Sequence, residues 1–142
     1  RRKDWSYGSL YWRLVLGCFW WMYDQEDFVR ILVCGGRDYN DDAMVRKVLT
    51  KYFCNNLVII QGEAKGADYL AKMWAKNFGV EYESFPADWG KYGKRAGYIR
   101  NVQMLNEGKP DLVIAFPGGK GTEMMINLAK SANVEVRVIE DN

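Results

Sequence analysis

Histidine is absent from the 142 residues, and proline and cysteine each occur three times. A zinc site needs nitrogen or sulfur ligands at short spacing. Cys18, Cys34 and Cys54 are far apart and form no CxxC pair, so no metal site and no disulfide framework is expected. Cys34 closes an apolar run and reads as a small core residue; three thiols fit a reducing, cytosolic setting. An excess of one charge sign is also missing. With 20 Lys+Arg against 18 Asp+Glu, the chain has no broad basic surface for duplex DNA. A long hydrophobic run is missing too: Leu14 to Tyr23 is about half of the ~20 residues that a membrane span requires, and Arg13 stops its extension. The length fits one domain with a core large enough to need no staples.

Composition breaks near residue 27. Residues 1–27 hold Trp5, Trp12, Trp20 and Trp21, and their charges cancel. Leu14, Val15, Leu16, Phe19, Trp20, Trp21 and Met22 would cover almost every face of a helix. The leading expectation is that this aromatic extension docks on the domain or at an interface between subunits, which makes the protein a homo-oligomer. An interfacial membrane anchor, a targeting segment and an extension without a role are the alternatives.

Residues 28–142 alternate strand and helix patterns. "VRILVC", "LVII" and "DLVIAF" are continuous apolar runs of the kind buried on both faces of a parallel sheet; "VEYESF" and "VEVRVI" complete five strands. Between them lie four amphipathic stretches at helical spacing. Asn40 or Asp41 is placed to cap the first, Gly79 to end the second and Gly108 to end the third. Strands joined by single helices pair in parallel with right-handed crossovers. The expected fold is therefore α/β, a Rossmann-like doubly wound sheet in the order 3-2-1-4-5, with a crevice where the order reverses.

What the chain has in quantity is glycine, at 14 positions. Gly35, Gly36, Arg37 and Asp38 follow strand one in "CGGRDY". Gly62, Glu63, Lys65, Gly66 and Asp68 follow strand two in "QGEAKGAD". Pro117, Gly118, Gly119, Gly121 and Thr122 follow strand four in "FPGGKGT". All three loops reach the carboxyl edge and open into helices, whose free N–H groups and dipoles favour an anion. Missing Cβ atoms would let a phosphate approach, and the Thr122 hydroxyl adds a donor. Neither the P-loop spacing nor a GxGxxG after strand one is present, so dinucleotide-dehydrogenase chemistry is disfavoured and no cofactor is expected. The long "FPADWGKYGKRAG" connection supplies Trp89 to stack on a base and Lys94 to meet a phosphate; packing of Trp89 as a loop anchor is the competing reading.

Together "ILVCGGRDY", "GEAKGAD", "FPADWGKYGKRAGYIRN" and "PDLVIAFPGGKGT" resemble the YspA/cpYpsA-related branch of the SLOG superfamily, over about Arg30 to Ile139. The resemblance implies a Rossmann-like fold, a nucleotide or nucleotide-derived ligand and a phage, prophage or defence setting. It makes LOG phosphoribohydrolases and DprA proteins distant relatives. LOG enzymes carry PGGxGTxxE, whose Glu assists cleavage of an N-glycosidic bond, and an Arg on the preceding helix. Arg100, beside Asn101 in "YIRN", resembles that Arg. Met125 stands at the Glu position, and Glu123, the nearest carboxylate, is about 200° away around a helix. Arg100 and Glu123 are thus the candidate catalytic residues. Glu63 stands where many relatives have a second glycine; it would repel a phosphate but accept hydrogen bonds from a ribose diol. Three functions stay open: a domain that senses or sequesters a small phosphorylated nucleoside or nucleotide-derived ligand, a LOG-like nucleotide N-glycosidase, and a nucleic-acid or protein-interaction module.

Overall fold

The computed structural model describes residues 28–140. The aromatic extension, with the docking, membrane and targeting expectations attached to it, lies outside the described residues.

A strand covered on both faces shows no polar alternation. β1 (Val29–Cys34), β2 (Leu57–Gln61) and β4 (Leu112–Ala115) are of this kind and are buried along nearly their whole length. β3 (Glu81–Ser84) and β5 (Glu135–Val138) are exposed or half-buried, as edge strands are. The five form one parallel sheet in the order β3-β2-β1-β4-β5, the order read from the sequence. Register is set at the centre by Ile31 opposite both Ile59 and Leu112.

Side chains alternate across a strand, so the sheet has two cores. On one face Ile31, Val33, Ile59 and Ile114 pack with Val45 and Leu49 of α1 (Asp42–Thr50) and with Ala71 and Trp74 of α2 (Ala67–Asn77). On the other, Leu32, Cys34, Ile60 and Val113 meet Met104 of α4 (Ala96–Gly108) and Met125 and Ala129 of α5 (Lys120–Ser131). A short helix, α3 (Trp89–Tyr92), and a 3-10 turn over Gly93–Arg95 precede α4. Burying each large side chain is worth about 1.5–3 kcal/mol. Arg30 is the one charge in β1. Its Nη2 meets Glu83 Oε1 at 2.6 Å, and its Nε donates to the Gly108 carbonyl at 2.5 Å, which ties the end of α4 to two strands.

Asp41 caps α1, accepting from the Met44 N–H at 3.0 Å. Gly79 follows α2 with φ 66°, as its position predicted. Gly108 is the last residue of α4, as its position predicted, but it is not the left-handed residue that follows a helix. It is still helical, and the left-handed residue is Lys109, at φ 47°. The reason is packing: a Cβ on Gly108 would lie 3.2 Å from Ile60, so the glycine lets α4 lie close to the sheet. Among the described residues no helix is long and apolar enough to cross a membrane.

Candidate functional site

The loops after β1, β2 and β4 meet at the carboxyl edge, and hydrogen bonds join them directly. Gly36 N–H donates to the Pro117 carbonyl at 2.9 Å, and the Gly36 carbonyl accepts from Ala67 N–H at 3.2 Å. This corrects the expectation that all the loop glycines open their backbone to a phosphate. A Cβ on Gly118 would strike the Thr122 hydroxyl and lie 2.5 Å from Gly36 N, and one on Gly35 would lie 2.5 Å from Ala67 Cβ. Gly66, at φ 82°, faces the Gly36 carbonyl across the same seam. These glycines let three loops interlock. Gly119 and Gly121 differ: nothing lies within 4 Å of a Cβ at either position, and both line a cavity of about 470 Å³.

That cavity is roofed by loops and walled by α4 and α5. Gly97, Arg100, Asn101 and Met104 face it from α4 and Gly121, Thr122, Met124 and Met125 from α5, much of this at the i, i+3, i+4 spacing of one helix face. The Arg100 guanidinium is held at two corners. Nη1 donates to the Gly62 carbonyl at 2.5 Å and Nε to Asn101 Oδ1 at 3.0 Å. No carboxylate comes within ion-pair distance of it among the described residues. Burial pulls the Arg100 pKa below the usual arginine value, and the Arg37 charge adds to this while Asp68 opposes it. A cation held in this way binds a planar or tetrahedral oxyanion with geometric specificity.

Among the described residues Asp68 is the one carboxylate lining this cavity. It lies in the first turn of α2, 5% exposed, and accepts from Gly62 N–H at 3.0 Å. Burial raises its pKa from 3.8 to about 6, against the pull of Arg100, the N–H groups of Ala64 and Gly62, and Arg37. Between these two values the folded chain holds a proton that the unfolded chain has released. Stability attributable to Asp68 therefore falls as pH rises from about 4 to about 6 and is level above that. The loss is on the order of 3 kcal/mol for a shift of this size. Asp68→Asn removes the titration, so the difference in unfolding free energy between variant and wild type should move in the variant's favour across that pH window. A flat difference in urea titrations from pH 4 to pH 7 would contradict this. Burial also pushes the Cys34 thiol well above its usual range, with Asp68 adding to the rise, so Cys34 is an inert cavity wall.

A second cavity, of about 530 Å³, adjoins the first and shares Arg37, Ala64, Trp89 and Arg100 with it. Asp38, Gly62, Glu63, Lys65, Pro86 and Ala87 form the rest of its lining. Arg37 lies over the Trp89 ring at 5.3 Å from its centroid, so Trp89 is neither a bare stacking platform nor a simple loop anchor. Glu63, at φ 60°, is paired with Lys72 at 2.7 Å. That hydrogen bond, and one from Ser84, hold its carboxyl below the usual range.

The sequence candidates thus divide. Gly35, Gly36, Arg37, Asp68, Trp89, Lys94, Arg100, Asn101, Gly119, Gly121 and Thr122 line the first cavity, and Asp38, Gly62, Glu63 and Lys65 the second. Gly66, Pro117 and Gly118 line neither and belong to the loop seam. Glu123 lines neither cavity with Arg100; it is on a groove along α5 with Lys120, Asn127 and Ser131, which meets the first cavity through Met124. Sequence reasoning missed Tyr98, Met104 and Met124. The signal was there: Tyr98 and Met104 are each three residues from Asn101, and Met124 is three from Gly121, on the same helix face.

A sequence model of the YspA, cpYpsA-related SLOG family matches residues 29–92, from β1 through α3. The Gene 61 protein of Mycobacterium phage D29 is 35% identical in an alignment 117 positions long that covers 75% of this chain and 93% of that protein. The structure of DNA processing protein A (DprA) from Streptococcus pneumoniae is similar with a TM-score of 0.65 at 22% identity, over 84% of this chain. This chain spans about half of that one, 53%, and the likeness is one of fold.

Proposed function

Because the chain belongs to the YspA, cpYpsA-related SLOG family, we propose that its carboxyl-edge cleft binds a small phosphorylated nucleoside or nucleotide-derived ligand, which the protein senses or sequesters. One observation carries this reading: Gly119 and Gly121 leave open space at the N-terminus of α5, in the same cavity as the half-buried Arg100, which has no carboxylate within ion-pair distance among the described residues. A phosphate there meets free backbone N–H groups, the Thr122 hydroxyl and a guanidinium held from behind. Tyr98, Met104, Met124 and Met125 give the base an apolar wall, and methionine adapts to an aromatic ring without a fixed shape. Lys94 on the rim adds charge in water. A relative encoded by a phage is in keeping with the setting that the sequence resemblance implied.

Titration calorimetry with nucleoside 5′-monophosphates tests the reading. The wild type should bind at least one of them. Gly119→Val puts a branched side chain into open space, so the variant should melt within a few degrees of wild type and bind at least tenfold more weakly. Normal binding by the variant would remove the phosphate from this helix end. The buried Met125 offers no proton for glycosidic cleavage, and sustained release of free base during the titration would show the cleft to be catalytic instead.

A further inference from the structure

The two cavities are compartments of one cleft. They share Arg37, Ala64, Trp89 and Arg100, and their contents differ. The first is walled by methionines and Tyr98. The second presents Asp38, Glu63 and Lys65, with Pro86 and Ala87 its apolar side. Sites for drug-sized ligands run from about 300 to 1,000 Å³; each compartment alone, at 470 and 530 Å³, is large enough for a nucleoside-sized group.

Resting on the reading above, we infer that the ligand has two lobes: a nucleotide in the first compartment, and a second, hydroxyl-rich group in the other, joined by a diphosphate along the wall of Arg37 and Arg100. Two guanidiniums face this wall, and neither has a carboxylate within ion-pair distance among the described residues. Arg37 is exposed, yet its guanidinium lies over Trp89. Its charge is near enough to Arg100 to disfavour the protonated form there. An anion with charge spread over two phosphates relieves that repulsion and reaches from one compartment to the other. Beyond that wall the second compartment holds Lys65 but also two carboxylates, Asp38 and Glu63, which set it against a further phosphate. Carboxylates suit sugar hydroxyls, which donate to them. The Glu63 carboxylate, fixed by Lys72 at 2.7 Å, keeps acceptor sites for such donors.

The test compares, by calorimetry on the full chain, a nucleoside 5′-diphosphate with nucleoside diphosphate sugars and dinucleoside diphosphates of the same base, for each common base. The two-lobed probe should bind at least tenfold more tightly than the nucleoside diphosphate. In the double variant Asp38→Ala, Glu63→Ala, both exposed positions, the two affinities should come within about threefold of each other. Equal affinities in the wild type overturn the two-lobed ligand and leave the nucleotide reading standing. An advantage that survives the double variant overturns the assignment of the second compartment. If neither probe binds with any base, the nucleotide reading itself falls.

Discussion

Gly66→Ala should destabilise the domain by about 2–6 kcal/mol while touching no ligand. Gly66 has φ 82° and ψ −129°, a conformation that costs a residue with a Cβ about 1–3 kcal/mol. The new methyl would also run into the Gly36 carbonyl and come within 2.7 Å of the Arg37 carbonyl, backbone atoms of another loop that cannot rotate away. Overpacking of this kind adds about 1–3 kcal/mol. Against the 5–15 kcal/mol typical of a whole domain, the loss is severe. Urea unfolding should show a lower midpoint with an unchanged slope. A midpoint equal to wild type would mean that the loop seam is not what holds the carboxyl edge together. The same substitution at Gly119 or Gly121 meets nothing within 4 Å and should leave the midpoint nearly unmoved.

Arg100→Lys should weaken nucleotide binding by about 1–3 kcal/mol, the scale of hydrogen bonds to a charged group, or roughly 5- to 150-fold in Kd. Lysine keeps the charge. It cannot reproduce a planar fork that is fixed by the Gly62 carbonyl and Asn101 while presenting its remaining N–H groups to the ligand. Circular dichroism and the urea midpoint separate this from general damage, since Arg100 also bridges α4 to the loop after β2. An unchanged dissociation constant would make Arg100 a structural bridge only.

The order of the sheet, the buried centre and exposed edges, the Asp41 cap and the gathering of glycine loops at one edge were all legible in the sequence. Each rests on a short-range rule: an unbroken apolar run, an amphipathic period, a capping side chain just ahead of a helix. The family was legible as well, because its motifs are contiguous stretches of chain.

What each glycine does was not legible. Gly118 and Gly119 are adjacent and identical in chemistry, yet one is wedged against Gly36 and Thr122 and the other faces open space. The difference is made by a loop from the far end of β1. Asp68 reads in the sequence as one of several candidates after strand two, and only its burial in the folded chain takes it out of water and raises its pKa. Glu123 and Met125 lie two residues apart on α5, and the sheet decides that the methionine faces the cavity and the carboxylate a different groove. The sequence by itself determined the elements, their order and the edge where the glycine loops gather, because periodicity and capping are local. Tertiary structure alone decided which backbone stays uncovered, which charges are buried or unpaired, and that the cleft has two compartments. Those depend on distances between loops that are remote in the chain, and no local pattern encodes them.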